Sequence, residues 1–569
     1  MVRFFLMLLT VWQIFLAILS CDEFLIVSTK SGFIKGVTQK TFLKHHKYLS
    51  YIGIPYAEAP IGELRYKVPV PISPWNEMLE TTYEYRDVCP VLAQSNFFPL
   101  NSTQSENCLF VNIFTPVLGR KKKAAKLPVM FFIHGGAFTE GDSTNGFYGP
   151  DMFIEQNIVL VTFDYRLGPF GFCNFNLPGL TGNMGFKDQQ VALEWIYNNI
   201  KYFGGNPHKI TVFGESAGGI STHLQVLNSQ SRKFIDRAIS MSCTAFNYFA
   251  HYDDQLNLLY DTFEDELNGE RNKYALYDFM KTAPTELIIQ KTPAFKVDDS
   301  LLILYWGFNI EDKRIAEKPF LTKTIRKIYE TTNINVEMLF GKTSAEALSL
   351  IRGLTQNDLY GWVDPMNQNF NVRVPFHGLT LSQTTRKWRD VQRKIRKFYF
   401  GTGTIKKTSY YLNRYVQMLS DINFVFGIYK AIEVHLKHAK TSCYEFNLNL
   451  RLNFAKITEN LKIIDGMGLY EEIAYLFRAN KYAELYDEVL SNPSCPRNQK
   501  TLEAFNFAPR LFANYAKTGS GFGPVERDNI ECVKINNDDL KQTNFPKIDA
   551  MELWSNIYEE LKPWIVDDF

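Results

Sequence analysis

Residues 209–219 read Lys-Ile-Thr-Val-Phe-Gly-Glu-Ser-Ala-Gly-Gly. Lys209 to Phe213 is a short β-branched and aromatic run that predicts a buried strand, and the residues from Ala217 onward predict a helix. Between them, Gly214-Glu215-Ser216-Ala217-Gly218 fits Gly-x-Ser-x-Gly. That pattern makes a sharp strand-to-helix turn, in which small flanking residues permit a strained backbone and leave the seryl oxygen exposed. A serine so placed is a nucleophile only when a base takes its proton. No histidine follows His438 in this chain.

The text around the turn extends the pattern. Upstream lie Gly182-Asn183-Met184-Gly185-Phe186-Lys187-Asp188-Gln189, then Ala192-Leu193-Glu194-Trp195-Ile196, then Phe203-Gly204-Gly205-Asn206-Pro207. Earlier come Glu106-Asn107-Cys108-Leu109-Phe110-Val111-Asn112-Ile113 and Gly53-Ile54-Pro55-Tyr56-Ala57 with Pro60, Gly62 and Arg65. In wording and spacing these segments resemble the type-B carboxylesterases, the family of cholinesterases, carboxylesterases and the non-enzymatic neuroligins. The resemblance runs from about Leu25 to the C-terminus, is strongest before residue 245 and is weak between about 250 and 440. It implies an α/β-hydrolase fold: a large, mostly parallel central sheet flanked by helices, with an N-terminal hairpin and helical insertions.

Composition agrees with one large domain over 21–569, since no Pro/Gly/Ser-rich linker or repeat divides the chain. A net charge of +2 gives no overall electrostatic footprint for nucleic acid, and Arg120 to Lys123 reads as a solvated loop between two strands. Arg3, an apolar run from Phe4 to Leu19 and Ser20 before Asp22-Glu23 predict a signal peptide over 1–20. Cys21 raises the question of a lipid-modified N-terminus, which the residues before it do not support. No later run reaches the length needed to span a bilayer, and the C-terminal residues carry no lipid-anchor or retention signal. A secreted protein, extracellular or in the lumen of the secretory pathway, is therefore expected.

Eight cysteines suit an oxidising compartment. The resemblance implies a Cys89–Cys108 disulfide loop. It also shows what the loop lacks: residues 90–107 contain no tryptophan to face a choline cation. Cys495 and Cys532 are candidates for a second bridge, although sequence does not give connectivity, and Cys173 and Cys243 follow apolar stretches that suit buried thiols. Asn101-Ser102-Thr103 is a glycosylation sequon.

The chemistry divides into a cradle, an acid and a base. Phe131-Phe132-Ile133-His134-Gly135-Gly136 sets two glycines after a buried strand, where backbone amides approach a substrate oxygen unobstructed. Gly135, Gly136 and Ala217 are the expected oxyanion hole, with His134 structural. Met338 to Glu346 resembles the strand and loop that deliver the family's triad carboxylate, and Glu346, five residues after Gly341, takes that position. Its bland alternative is a surface glutamate starting a helix. Cys443 to Leu448 resembles the family's penultimate sheet strand, after which the histidine loop reads roughly Gly-x-x-His-x-x-Glu. Here Gly466-Met467-Gly468-Leu469-Tyr470-Glu471-Glu472 follows, and anchoring on Glu472 places Leu469 where the histidine belongs.

Substitutes are poor. His435 and His438 precede that strand and enter at its amino end, about 23 Å from the carboxyl end over seven residues, and both are expected to be solvated. His223 lies seven residues along the nucleophile helix, about 10 Å away. Asp465 or Glu471 has the wrong pKa to remove an alcohol proton efficiently. His377 is the remaining candidate. In a serine protease, loss of the triad histidine costs on the order of a million-fold in turnover, about 8 kcal/mol.

Two functions remain open. One is a pseudoenzyme that binds a protein partner, or a small apolar ester or lipid, without cleaving it. The other is an active serine ester hydrolase or acyltransferase with a displaced base. Neither requires a metal or a cofactor, and the family resemblance adds structural Arg65–Glu106 and Arg166–Asp188 ion pairs.

Overall fold

The computed structural model describes residues 26–565 apart from 93–101, 118–125, 299, 352–357, 377, 454–455, 457–460, 462, 527–528, 538–539 and 546–547. The signal peptide over 1–20, Cys21, Asn101, the Arg120–Lys123 run and His377 lie outside the described residues.

Eleven strands form the central sheet. In chain order they are β1 (Val37–Lys40), β2 (Lys47–Pro55), β3 (Phe110–Pro116), β4 (Leu127–Ile133), β5 (Val159–Phe163), β6 (Gly205–Glu215), β7 (Arg237–Met241), β8 (Glu337–Thr343), β9 (Thr441–Asn447), β10 (Glu531–Asn536) and β11 (Leu540–Asn544). Their order across the sheet is β11-β10-β9-β8-β7-β6-β4-β5-β3-β2-β1. From β10 to β5 every neighbouring pair is parallel, and antiparallel strands close both edges. Two strands, not one, follow β9.

Strands β4 and β5, inside the parallel part of the sheet, are apolar without alternation. All five residues of β5, Val-Leu-Val-Thr-Phe, are buried, as are Val129 to Ile133 in β4. Helices cover both faces of a parallel sheet, so each strand must be apolar on both sides. The helices used below are α1 (Met184–Asn199), α2 (Ala217–Leu227), α3 (Ile325–Thr331), α4 (Arg386–Phe400), α5 (Phe426–His435), α6 (Pro496–Thr518) and α7 (Ile548–Leu561). Among the described residues no helix is long and apolar enough to cross a membrane.

Two disulfides are formed, Cys89–Cys108 and Cys443–Cys532. The second corrects the expected Cys495–Cys532 pair. In the β9/β10 register Tyr444 faces Val533, which sets Cys443 opposite Cys532, whereas Cys495 stands at the head of α6. Cys173 and Cys243 are buried free thiols.

Both expected ion pairs are present. Arg65 Nε donates to Glu106 Oε2 at 2.8 Å, and Arg166 holds Asp188 through Nε at 2.8 Å and Nη2 at 2.7 Å. Arg65 also donates to the carbonyls of Met280, Lys281 and Ala283, and Arg166 to that of Lys67. Each guanidinium therefore ties distant segments together as well as neutralising a carboxylate.

Candidate active site

Parallel strands deliver their following loops to one edge of the sheet, and the candidate residues all lie on such loops. Ser216 follows β6, Gly135 and Gly136 follow β4, Glu346 follows β8, and Leu469 lies in the long connection after β9.

At the turn Ser216 adopts φ 57° and ψ −122°, well outside the common regions for a residue with a side chain. Its N–H donates to Met241 O at 2.9 Å and its carbonyl accepts from Ile220 N–H at 3.0 Å, so neighbouring strand and helix hold the strain. The glycine two residues on is dictated by crowding: a Cβ on Gly218 would stand 2.0 Å from Ile133 O. Gly136 combines φ 106° with a Cβ position 2.2 Å from Glu140 O, and no side chain fits there. A Cβ on Gly135 would come 3.2 Å from Ser216 Cβ, which measures how close this loop lies to the serine. Among the described residues the N–H groups of Gly135, Gly136 and Ala217 have no acceptor. His134 is buried, with Nδ1 2.9 Å from Gly135 O and its ring stacked on Tyr165. Burial pulls its imidazole down to about 4 against that hydrogen bond.

Glu346 is fully buried, not a surface residue. Its Oε1 accepts the Thr343 N–H at 2.8 Å, while Oε2 has no partner among the described residues. Burial raises its carboxyl to about 7, opposed by the Thr343 hydrogen bonds. Its carbonyl accepts the Leu469 N–H at 3.3 Å, which fixes the leucine loop against the carboxylate loop. Two more carboxyls, Glu215 and Glu472, share this volume, and nothing in the local sequence around either marks it for a chemical part. Burial pushes Glu215 well up, helped by Glu472 and Glu346. Glu472 is pushed up by burial and then by Glu346, with Ser242 Oγ 3.4 Å from its Oε1.

Leu469, half-buried, lines the same cavity as Ser216. The next residue, Tyr470, holds φ 76° and donates its hydroxyl to Tyr148 Oη at 2.7 Å. Gly136, Glu140, Phe249, Leu304, Phe424 and Tyr470 complete much of the wall, and among the described residues no histidine lines it. The apolar wall comes from segments far apart in sequence, including the Phe295–Asp298/Leu301–Leu304 hairpin and the π-helical turn Asp421–Val425. Behind the serine sits Cys243. Burial raises its thiol, with Glu346 and Glu215 adding to the effect and a hydrogen bond with Ser216 opposing it.

His223, His435 and His438 are engaged elsewhere. His223 Nδ1 accepts the Ala245 N–H at 3.2 Å, so Nε2 carries the proton and donates to Tyr329 Oη at 2.7 Å. Tyr329 in turn donates to His435 Nδ1 at 2.9 Å, and His435 Nε2 donates to Val336 O at 2.9 Å. Val336 immediately precedes β8, so His435 does enter at the amino end of the strands. It is fully buried rather than solvated, because α5 turns this face onto the sheet. His438, half-buried, lies tilted against the Tyr329 ring with centroids 5.1 Å apart. Asp465 is exposed, and Glu471 Oε2 accepts from Gly468 N–H and Asn453 Nδ2. Neither reaches the cavity wall. Among the described residues no cluster of His, Cys, Asp and Glu suits a metal ion.

Comparison with known proteins matches this arrangement to a family. The chain is 32% identical over 442 residues to venom carboxylesterase-6 of Apis mellifera, covering 75% of each chain. It is 28% identical over 550 residues to esterase B1 of Culex pipiens, covering 94% of this chain and 98% of that one. Its fold superposes on the crystal structure of juvenile hormone esterase from Manduca sexta with a TM-score of 0.78, covering 94% of this chain and 100% of that one at 22% identity. The model of the carboxylesterase family matches residues 23–553, and the chain belongs to that family, with the α/β-hydrolase fold.

Proposed function

We propose that this chain is a secreted carboxylesterase-like protein with an impaired active site, which binds an apolar ester or lipid, or a protein partner, without efficient turnover. The observation that carries the proposal is Leu469, whose side chain stands in the Ser216 cavity while its N–H is held by the Glu346 carbonyl. The assignment takes Ser216 as the nucleophile position, Glu346 as the acid position, Leu469 in place of the base, and Gly135, Gly136 and Ala217 as the oxyanion hole. These sit in one hydrolase domain over 21–569 behind a signal peptide, with Asn101 as the glycosylation site.

Leucine neither accepts the seryl proton nor returns one to a leaving group. The unpartnered Oε2 of Glu346, raised to about 7, is what a triad acid without its imidazole would be expected to leave behind. The apolar wall suits an acyl chain or ring, and amides without acceptors suit its carbonyl oxygen.

A second reading, an active hydrolase or acyltransferase with a displaced base, draws support from the strained Ser216 backbone and from relatives named as esterases. Short-chain ester turnover by the native protein and by Ser216→Ala separates the two. The proposal expects no Ser216-dependent rate above about a thousandth of an ordinary enzyme's. Ordinary turnover that disappears in Ser216→Ala would establish the second reading.

A further inference from the structure

A net charge of +2 conceals a strongly uneven surface. From Arg386 to Lys397 the sequence reads Arg-Lys-Trp-Arg-Asp-Val-Gln-Arg-Lys-Ile-Arg-Lys, seven basic residues of twelve against one aspartate. All of it lies on α4. The apolar side of the helix, Trp388, Val391, Ile395 and Tyr399, is buried in the protein, so the basic side is left facing out.

The cations on that side are incompletely neutralised. Lys387 and Lys394 pair with Glu560 of α7, and Arg393 pairs with Asp390. Arg389 donates to Thr384 O at 2.7 Å and Arg396 to Gly401 O and Gly403 O at 2.9 and 2.8 Å. Those bonds hold the guanidiniums in place without cancelling their charge. Among the described residues Arg386, Arg389, Arg396 and Lys397 have no carboxylate partner. At 1.5 Å per residue the basic stripe is about 16 Å long. Arg389, Arg393 and Arg396, at spacings of four and three, share one face and line an open groove with Asn369, Asn371 and Gln383.

We propose that this face of α4 and its groove bind a sulfated polysaccharide. Planar guanidiniums suit sulfate and carboxylate oxygens, and the flanking amides suit sugar hydroxyls. The geometry argues against other polyanions. A bilayer needs an apolar face free to insert, and here that face is in the core, with no large apolar side chain of α4 exposed. Single-stranded nucleic acid needs a row of exposed rings for stacking; of the two rings lining the groove, Trp388 is 3% exposed and Phe370 is half-buried, packed edge-on against Phe400. Two disulfides belong to an oxidising compartment, where sulfated glycans rather than nucleic acids are met. This site is independent of whether Ser216 is active.

The test is binding of the full-length protein to heparin at 0.15 M salt, against the triple variant Arg386→Gln, Arg389→Gln, Arg393→Gln. A second triple, Lys313→Gln, Lys318→Gln, Lys323→Gln, removes the same charge from exposed lysines around a different groove. Thermal midpoints confirm that both variants fold. The proposal expects the arginine triple to bind at least about tenfold more weakly and with a shallower salt dependence, and the lysine triple to stay within about twofold. Equal losses in the two triples, or no native binding to heparin, overturn it. Equal native affinity for polyglutamate, anionic vesicles or single-stranded DNA overturns the assignment to a sulfated glycan.

Discussion

Replacing Glu346 by glutamine removes a buried charge that the protein retains at a cost. The carboxyl is fully buried, its Oε2 has no partner among the described residues, and burial raises its folded-state pKa to about 7 against an ordinary 4.5. Below pH 4.5 the group is protonated in both folded and unfolded chains and costs nothing. Between pH 4.5 and 7 the unfolded chain has lost the proton that the folded one retains, so stability falls across that window and levels off above it. The shift is about 2.5 units, which at 1.36 kcal/mol per unit is about 3 kcal/mol by pH 8. Glutamine keeps an oxygen for the Thr343 N–H and carries no charge. Glu346→Gln is therefore expected to match the native protein near pH 4.5 and to exceed it by about 3 kcal/mol at pH 8. With an unfolding entropy of about 2.1 cal/mol/K per residue, that is a rise of roughly 3 °C in the thermal midpoint. Differential scanning fluorimetry at both pH values reads it. A variant less stable than the native protein at pH 8 would refute the reasoning, since it would mean that the ionised carboxylate is satisfied in the fold.

Other perturbations reach other parts of the account. Leu469→His offers Glu346 and Ser216 the missing imidazole and is expected to raise kcat/KM for a short-chain ester by about 10²–10⁴, with the gain lost again in the Leu469→His, Ser216→Ala double variant. The buried His223–Tyr329–His435 chain is held neutral: burial lowers His223 well down and His435 to about 4 from 6.5. Stability from His435 is thus present above pH 6.5 and lost as pH falls to 4, about 3 kcal/mol for this group, which a denaturation series across that range detects. Tyr329→Phe strands a donor on His223 and an acceptor on His435 and is expected to cost about 2–4 kcal/mol, read as a lowered midpoint at pH 7.5. Gly218→Ala drives a Cβ into Ile133 O and is expected to abolish the yield of folded protein, whereas Gly403→Ala, with open space around it, is expected to leave that yield unchanged.

What the sequence made legible is what short-range physics determines. The strand, the strained serine turn and the helix after it follow from eleven consecutive residues, and the structure only lengthens the strand to Gly205–Glu215. The glycines after β4 were readable because crowding admits nothing else. The cavity wall was not readable. Phe249, Leu304 and Phe424 meet only through packing of distant segments, and apolar residues carry no mark of which cavity they will line. The second disulfide was missed because Cys443 and Cys532 are paired by the strand register, not by nearness in sequence. His435 was misjudged because a histidine near a helix end looks solvated until its rotation onto the sheet is known. The carboxyls of Glu215 and Glu472 were visible as letters, but their mutual effect exists only once three loops converge. Whole-chain charge likewise averaged away the basic face of α4.

The most direct test of the central claim is the rate at which the purified native protein is covalently labelled by a fluorophosphonate, beside Ser216→Ala and Leu469→His. The account predicts no labelling of the native protein above the Ser216→Ala background and clear labelling of Leu469→His. Rapid native labelling that vanishes with Ser216→Ala would contradict it and establish a working serine hydrolase with its base elsewhere.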